Sequence, residues 1–141
     1  MDKILIDTDV ILDFFFDREP FSEYAAQVLN LCEAQKIIGF TTPVIISNVY
    51  YLLRKIGKHE IIVEKLKQLL SIVDIVEVGK TSVLNALDSK FKDFEDALQN
   101  YSAIEHGEIK VILTRNIKDY KRSTLAVLTP ETYLKGKVGG W

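Results

Sequence analysis

Asp7 follows the apolar run Ile4-Leu5-Ile6, Asp93 and Asp96 open a helix-like stretch, and Asp119 comes shortly after Val111-Ile112-Leu113. Acids placed where apolar runs end are expected at the carboxyl edge of an open parallel α/β sheet, where residues distant in sequence converge. Hard oxygen donors gathered in that way suit magnesium or manganese. Asp7 ends a run that should be fully buried, and an ionised carboxylate there needs a metal, a cation or several hydrogen-bond donors. Each acid also has a plainer reading. Asp7 or Asp9 would cap the next helix, Asp93 and Asp96 suit a first helical turn through the macrodipole, and Asp119 suits an exposed turn before Tyr120. Spaced three apart, Asp93 and Asp96 project from nearly the same helix face.

The elements that must carry these acids can be read from hydrophobic spacing. Residues 3–7 read as a buried strand and 9–16 as a helix. Pro20 precedes a second helix in which Tyr24, Ala25, Val28, Leu29 and Cys32 recur at three- and four-residue steps. A strand over 37–41 is followed by a helix that Pro43 opens and Gly57 stops, then by a helix over 59–70. The β-branched stretch 72–76 predicts a third strand, and helices follow over 80–90 and 94–106. Strands over 110–114 and 126–129 and a helical turn after Pro130 complete the pattern. Strands alternating with helices predict an α/β fold, a three-layer α/β/α sandwich around a mainly parallel sheet of about five strands.

Composition narrows the class. The chain has 141 residues, 48% hydrophobic and 27% charged, which fits one soluble domain over residues 1–137 with a flexible tail over 138–141. The formal net charge of -2 argues against a protein that coats nucleic acid by bulk charge. Local groups such as Lys110, Arg115, Lys118, Lys121 and Arg122, or Arg54, Lys55 and Lys58, remain candidates for phosphate, with solvated surface as their plainer reading. A lone cysteine, Cys32, reads as helix packing and points to a reducing, cytoplasmic setting. No apolar stretch approaches the length of a membrane span. His59 and His106 lie at helix edges beside glutamates and read as capping or surface groups. Phe14, Phe15, Phe16, Phe21, Tyr50 and Tyr51 exceed what one helix face needs; they read first as core and second as a partner surface.

The ordered set Leu5-Ile6-Asp7-Thr8-Asp9-Val10-Ile11-Leu12-Asp13, Asp93-Phe94-Glu95-Asp96-Ala97-Leu98 and Leu113-Thr114-Arg115-Asn116-Ile117-Lys118-Asp119-Tyr120 resembles the PIN-domain nucleases. That family includes the VapC-like toxin ribonucleases of bacterial toxin–antitoxin pairs. The resemblance runs from Asp7 to about Leu134 and is specific in its order, not in any single motif. It implies an acidic pocket that binds Mg2+ or Mn2+ and hydrolyses single-stranded RNA, with a homodimer and an antitoxin protein as partners. By motif position, Asp7 and Asp96 become metal ligands, Asp93 an accessory ligand or one acting through water, and Asp119 the fourth acid. Thr114 and Asn116 match the turn that positions the attacking water, and Arg115 or Lys118 would steady the scissile phosphate of bound RNA.

The chain departs from the family pattern in three places. Asn48 stands where many members have glutamate, Asn116 where many have aspartate, and Asp9 where asparagine is common. An amide binds a cation through its oxygen but brings no charge and cannot act as a base, so Asp9 and Asn48 are read as accessory. The departures leave open a second expectation, a PIN domain with a decayed site that binds RNA or a partner without cutting. A third is a phosphatase of the haloacid-dehalogenase type, to whose motif Asp7-Thr8-Asp9 is similar, with Asp7 as nucleophile and Asp9 as acid and base.

Overall fold

A computed structural model describes the protein over residues 1–137; the tail expected over 138–141 lies outside the described residues. The strands are β1 (Lys3–Ile6), β2 (Ile38–Thr41), β3 (Asp74–Ile75), β4 (Val111–Leu113) and β5 (Ala126–Leu128). The helices are α1 (Thr8–Phe15), α2 (Phe21–Glu33), α3 (Pro43–Arg54), α4 (His59–Leu70), α5 (Lys80–Leu87), α6 (Phe94–His106) and α7 (Pro130–Gly136), with a 3-10 turn over Ile117–Tyr120.

The five strands pair in parallel in the order β3-β2-β1-β4-β5. Successive residues of central β1 serve opposite faces, as strand geometry requires. Ile4 and Ile6 pack into a core built with α1, α2, α3 and α4, whereas Leu5 joins Phe40, Ala103, Ile112 and Tyr120 on the side of α6. Because the chain runs from β1 outward to β2 and β3 and then returns to place β4 on the other flank, the order reverses between β1 and β4. The crevice at their carboxyl ends is the place where such sheets bind ligands. Asp7 follows β1 and Thr114 follows β4, so the topology itself brings them together.

The expected elements are present, with differences at their ends. Asp7 leaves the first strand to cap α1, its carboxylate accepting from the Thr8 N–H at 2.8 Å. The third strand shrinks to two exposed residues because the Val73 N–H still bonds to Leu69 O at 3.1 Å, holding Ile72-Val73 in the turn that follows α4. The fifth helix closes at Leu87, where Ser89 Oγ donates to Ala86 O. Gly107, at φ 87°, ends α6 in the left-handed region that favours glycine. Gly39 lets α2 approach β2: a Cβ there would lie 2.7 Å from Cys32 Sγ. Burial pushes the Cys32 thiol up to about 11, consistent with a packing role.

One ion pair fixes the turn after β4. Asp13 on α1 is 1% exposed and takes a two-pronged contact from Arg115, Nε to Oδ2 at 2.6 Å and Nη2 to Oδ1 at 3.0 Å, with Arg18 3.6 Å away. The guanidinium also lies 4.2 Å from the centre of the Phe21 ring. This clamp ties α1 and α2 to the segment Thr114–Asn116. Asp13→Ala is expected to lower the unfolding free energy in urea by about 3 kcal/mol, because it strands a half-buried guanidinium. The double change Asp13→Leu with Arg115→Met should recover most of that loss, and a double variant no more stable than Asp13→Ala would contradict this account.

Candidate active site

The reversal point opens into a cavity of about 550 Å³ whose wall holds Asp7, Asp9, Asp93, Glu95, Asp96 and Asp119, with Arg18 and Lys55 as its cations. Local folding rules explain how so many acids share one wall. Asp7 caps α1 and Asp93 caps α6, its Oδ1 accepting from the Asp96 N–H at 2.9 Å, so the N-terminal ends of both helices point at the acids. Asp119 is brought in by the 3-10 turn, which Tyr120 anchors with a side chain only 1% exposed.

Thr114, fully buried, donates its hydroxyl to Asp7 Oδ2 at 3.0 Å and lies 3.3 Å from Asp9 Oδ2, placing one hydroxyl between two carboxylates. Asp9 Oδ2 also accepts from the Arg115 N–H and from Asn116 Nδ2, both at 3.0 Å. Across the cavity, Asn48 Nδ2 donates to Glu95 Oε2 at 2.8 Å. Glu95 therefore projects a carboxylate beside the position where the α3 segment carries only an amide.

The electrostatics are those of crowded acids. Burial, then the Asp9 charge, raises the Asp7 carboxyl to about 6. Burial raises Asp96 to about 7, with Asp7, Asp93 and Asp119 adding to the shift. The Tyr120 phenol is pushed well above its ordinary range by burial and by Asp7 and Asp96. Asp9 Oδ1 is buried and completes no hydrogen bond to the described residues, and the buried Tyr120 hydroxyl lies beside the Asp7 and Asp96 carboxylates.

A divalent cation fits this donor set. It would relieve the repulsion that lifts Asp7 and Asp96, and the donors are hard oxygens. Among the described residues no group of three carboxylate, imidazole or thiolate side chains closes into a preformed metal cage. Magnesium, which keeps several waters and takes one or two carboxylates, does not ask for one.

Of the residues singled out from sequence, Asp7, Asp9, Asn48, Asp93, Asp96, Asn116 and Asp119 all line the cavity, and buried Thr114 supports its floor. Arg115 does not line it: the guanidinium expected at a phosphate is held by Asp13, whose buried charge needs that partner. Lys118 lies in an adjoining groove. Sequence reasoning missed Glu95, Gln99 and Arg18 in the wall and Tyr120 near it. Glu95 stands between Asp93 and Asp96 in the same helical turn, where sequence alone does not separate it from an ordinary first-turn acid. Gln99 Oε1 accepts from Thr42 Oγ1 at 2.8 Å, joining α6 to the cap of α3. His59 meets the Tyr50 hydroxyl at 2.9 Å and His106 packs on Phe40, so neither histidine is part of the site.

Comparison with known proteins agrees with this geometry. Ribonuclease VapC1 of Aquifex aeolicus (strain VF5) is 34% identical over 137 residues, covering 94% of this chain and 93% of its own length. Among solved structures, VapBC2 from Rickettsia felis, bound to a DNA fragment from its promoter, matches with a TM-score of 0.66 at 16% identity, over 89% of this chain and 96% of that one. PAE2754 from Pyrobaculum aerophilum matches with a TM-score of 0.64 at 17% identity, over 98% of both chains. Mycobacterium tuberculosis VapC20, a sarcin-ricin loop cleaving toxin, gives 0.58 at 16% identity over 77% of this chain and 86% of that one. The PIN domain family profile matches residues 3–118. With its acidic crevice at the reversal point of a parallel sheet and this match across most of its length, the chain belongs to the PIN domain family.

Proposed function

We propose that this protein is a divalent-metal-dependent endoribonuclease that hydrolyses phosphodiester bonds of single-stranded RNA and acts as the toxin of a toxin–antitoxin pair. The observation that carries the reading is the convergence of Asp7 and Asp96, both raised toward neutrality, on one cavity wall with Asp93, Asp119 and Glu95. The similarity to Ribonuclease VapC1 supports the activity. The antitoxin partner is supported by the VapBC complexes of similar fold, and the homodimer is carried over from the family resemblance.

Asp7 and Asp96 would hold Mg2+ or Mn2+, with Asp93, Asp119 and Glu95 as further oxygen donors, direct or through water. When bound, the cation acidifies water toward neutral pH and offsets charge that builds on the phosphoryl oxygens. The chain's own residues then orient and balance. Thr114 directs Asp7 by donating to its Oδ2, leaving Oδ1 to the helix cap. Asn116 keeps Asp9 fixed through Nδ2. Asn48 steadies Glu95, so a negative charge reaches the cavity from α6 even though α3 brings none. Arg18 and Lys55 supply cations on the same wall for the RNA backbone.

The non-cutting reading draws on Asn48 and Asn116, but both amides hold carboxylates in place, as parts of an ordered site. The phosphatase reading asks Asp9 to move a proton, whereas its Oδ2 accepts from the Arg115 N–H and Asn116 Nδ2 and lies near the Thr114 hydroxyl. Family membership sets that reading aside.

Labelled single-stranded RNA should be cut in manganese or magnesium and not in EDTA. Asp7→Asn and Asp96→Asn are each expected to lower kcat/KM at least about 100-fold. RNA that binds but stays intact with every preparation would favour the non-cutting domain.

The raised carboxyls give a second expectation. In EDTA the folded state holds its protons on Asp7 and Asp96 up to about pH 6–7, whereas the unfolded chain releases them near pH 4. Stability therefore falls as pH rises through that window, and Asp7→Asn should flatten the profile and exceed the native chain at pH 8 by on the order of 1 kcal/mol. Manganese binding, followed by calorimetry, should tighten over the same range as the acids ionise, and a pH-independent affinity would contradict the placement of the ion on these two groups.

A further inference from the structure

Beside the acidic cavity lies a second groove of about 320 Å³ lined by Lys90, Lys92, Lys118, Lys121 and Arg122, together with Phe91. The two recesses share Asp93 and Asp119 as a common wall. We infer that this groove binds the phosphodiester backbone of the single-stranded RNA next to the scissile bond and leads the strand over the shared wall into the acidic cavity. The inference rests on the nuclease reading for the identity of its ligand, and on the groove's own construction for its existence.

Three features make the groove more than scattered surface charge. Its cations come from two segments far apart in sequence, the connection between α5 and α6 and the turn after β4, which the fold brings face to face. Beneath them the Phe91 and Tyr120 rings meet edge to face with centroids 6.2 Å apart, so the residue between Lys90 and Lys92 is locked to the residue before Lys121. The far end is tied down as well: Ser123 N donates to Tyr120 O at 2.8 Å, and Ser123 Oγ donates to Asn100 Oδ1 on α6 at 2.5 Å. None of the five cations forms an ion pair with the described residues. In a chain of formal net charge -2, five unpaired cations in one recess leave a positive charge that an anionic polymer would neutralise.

The adjacency also answers an electrostatic difficulty. A wall of carboxylates repels RNA, so the strand needs a favourable contact close by, and the shared wall of Asp93 and Asp119 puts the basic groove directly beside the acids. Single-stranded RNA is favoured over a duplex because the recess is small, about 320 Å³, and a flexible strand follows it more easily than a stiff helix.

The test is binding of a fluorescein-labelled twelve-nucleotide single-stranded RNA in EDTA, read by anisotropy over a range of salt, so that no cleavage is required. The triple variant Lys92→Ala, Lys118→Ala, Lys121→Ala should lose about 10- to 100-fold in affinity at low salt. Its salt slope should flatten by about 2, since each phosphate contact on a single strand contributes about 0.7. A control triple, Lys36→Ala, Lys65→Ala, Lys67→Ala, removes the same charge from exposed sites away from both recesses and should bind like the native chain. Equal loss in the two triples, or no RNA binding by the native protein, would overturn the groove. Duplex RNA bound as tightly through the same lysines would overturn the single-strand assignment. Groove-dependent binding without metal-dependent cutting by the native protein would keep the groove and sink the nuclease, and cutting with a native KM in the groove triple would do the reverse.

Discussion

The structure turns on a group of carboxylates that do not want to be together. Asp7 is 7% exposed, and Asp7, Asp9 and Asp96 are all raised by burial before any mutual repulsion is added. They persist because the surroundings are organised around them: one threonine hydroxyl stands between Asp7 and Asp9, backbone and amide N–H groups hold Asp9, and two helices begin at the pocket. The strand reversal between β1 and β4 makes this possible, because a parallel sheet opens a crevice at the carboxyl ends of its strands where the order reverses. The clamp of Asp13 on Arg115 belongs to the same arrangement. It holds the segment whose N–H groups and hydroxyl make the acids tolerable.

Much of the fold was legible because its signals are local. The helix over 94–106 shows an acidic start and a glycine stop, and α4 occupies the residues its apolar period marks. The sheet was legible from apolar runs at β1, β2 and β4, whereas β3 was overstated because Ile72 and Val73 pack on the core from the turn after α4 and need no strand to be buried. The order β3-β2-β1-β4-β5 is not written in any segment; it follows from which apolar faces are buried together.

The site was legible through its acids and obscure in its partners. Asp7, Asp93, Asp96 and Asp119 stand out by position, but the pairing of Arg115 with Asp13 joins residues 102 apart and is invisible in local pattern. Glu95 was hidden for the opposite reason: between two aspartates in a helical first turn, one more acid looks like dipole complementarity. Only the approach of Asn48, from a helix 47 residues earlier, separates it from its neighbours. Tyr120 carried no signal of its own beside Asp119, whereas its buried ring packs on Phe91 under the basic groove.

The burden that the raised acids place on the folded chain has an evolutionary corollary. The acids that the proposed reaction calls on oppose stability, whereas Thr114 and Asp13, which hold the segment around them, support it. A lineage released from the need to cut would find substitution at Asp7 or Asp96 energetically downhill, yielding a quieter and sturdier protein, while changes at Thr114 or Asp13 would be purged with the fold. Piecemeal replacement of the acids is therefore the stabilising direction, and it is the route by which such a domain would turn into a binding module.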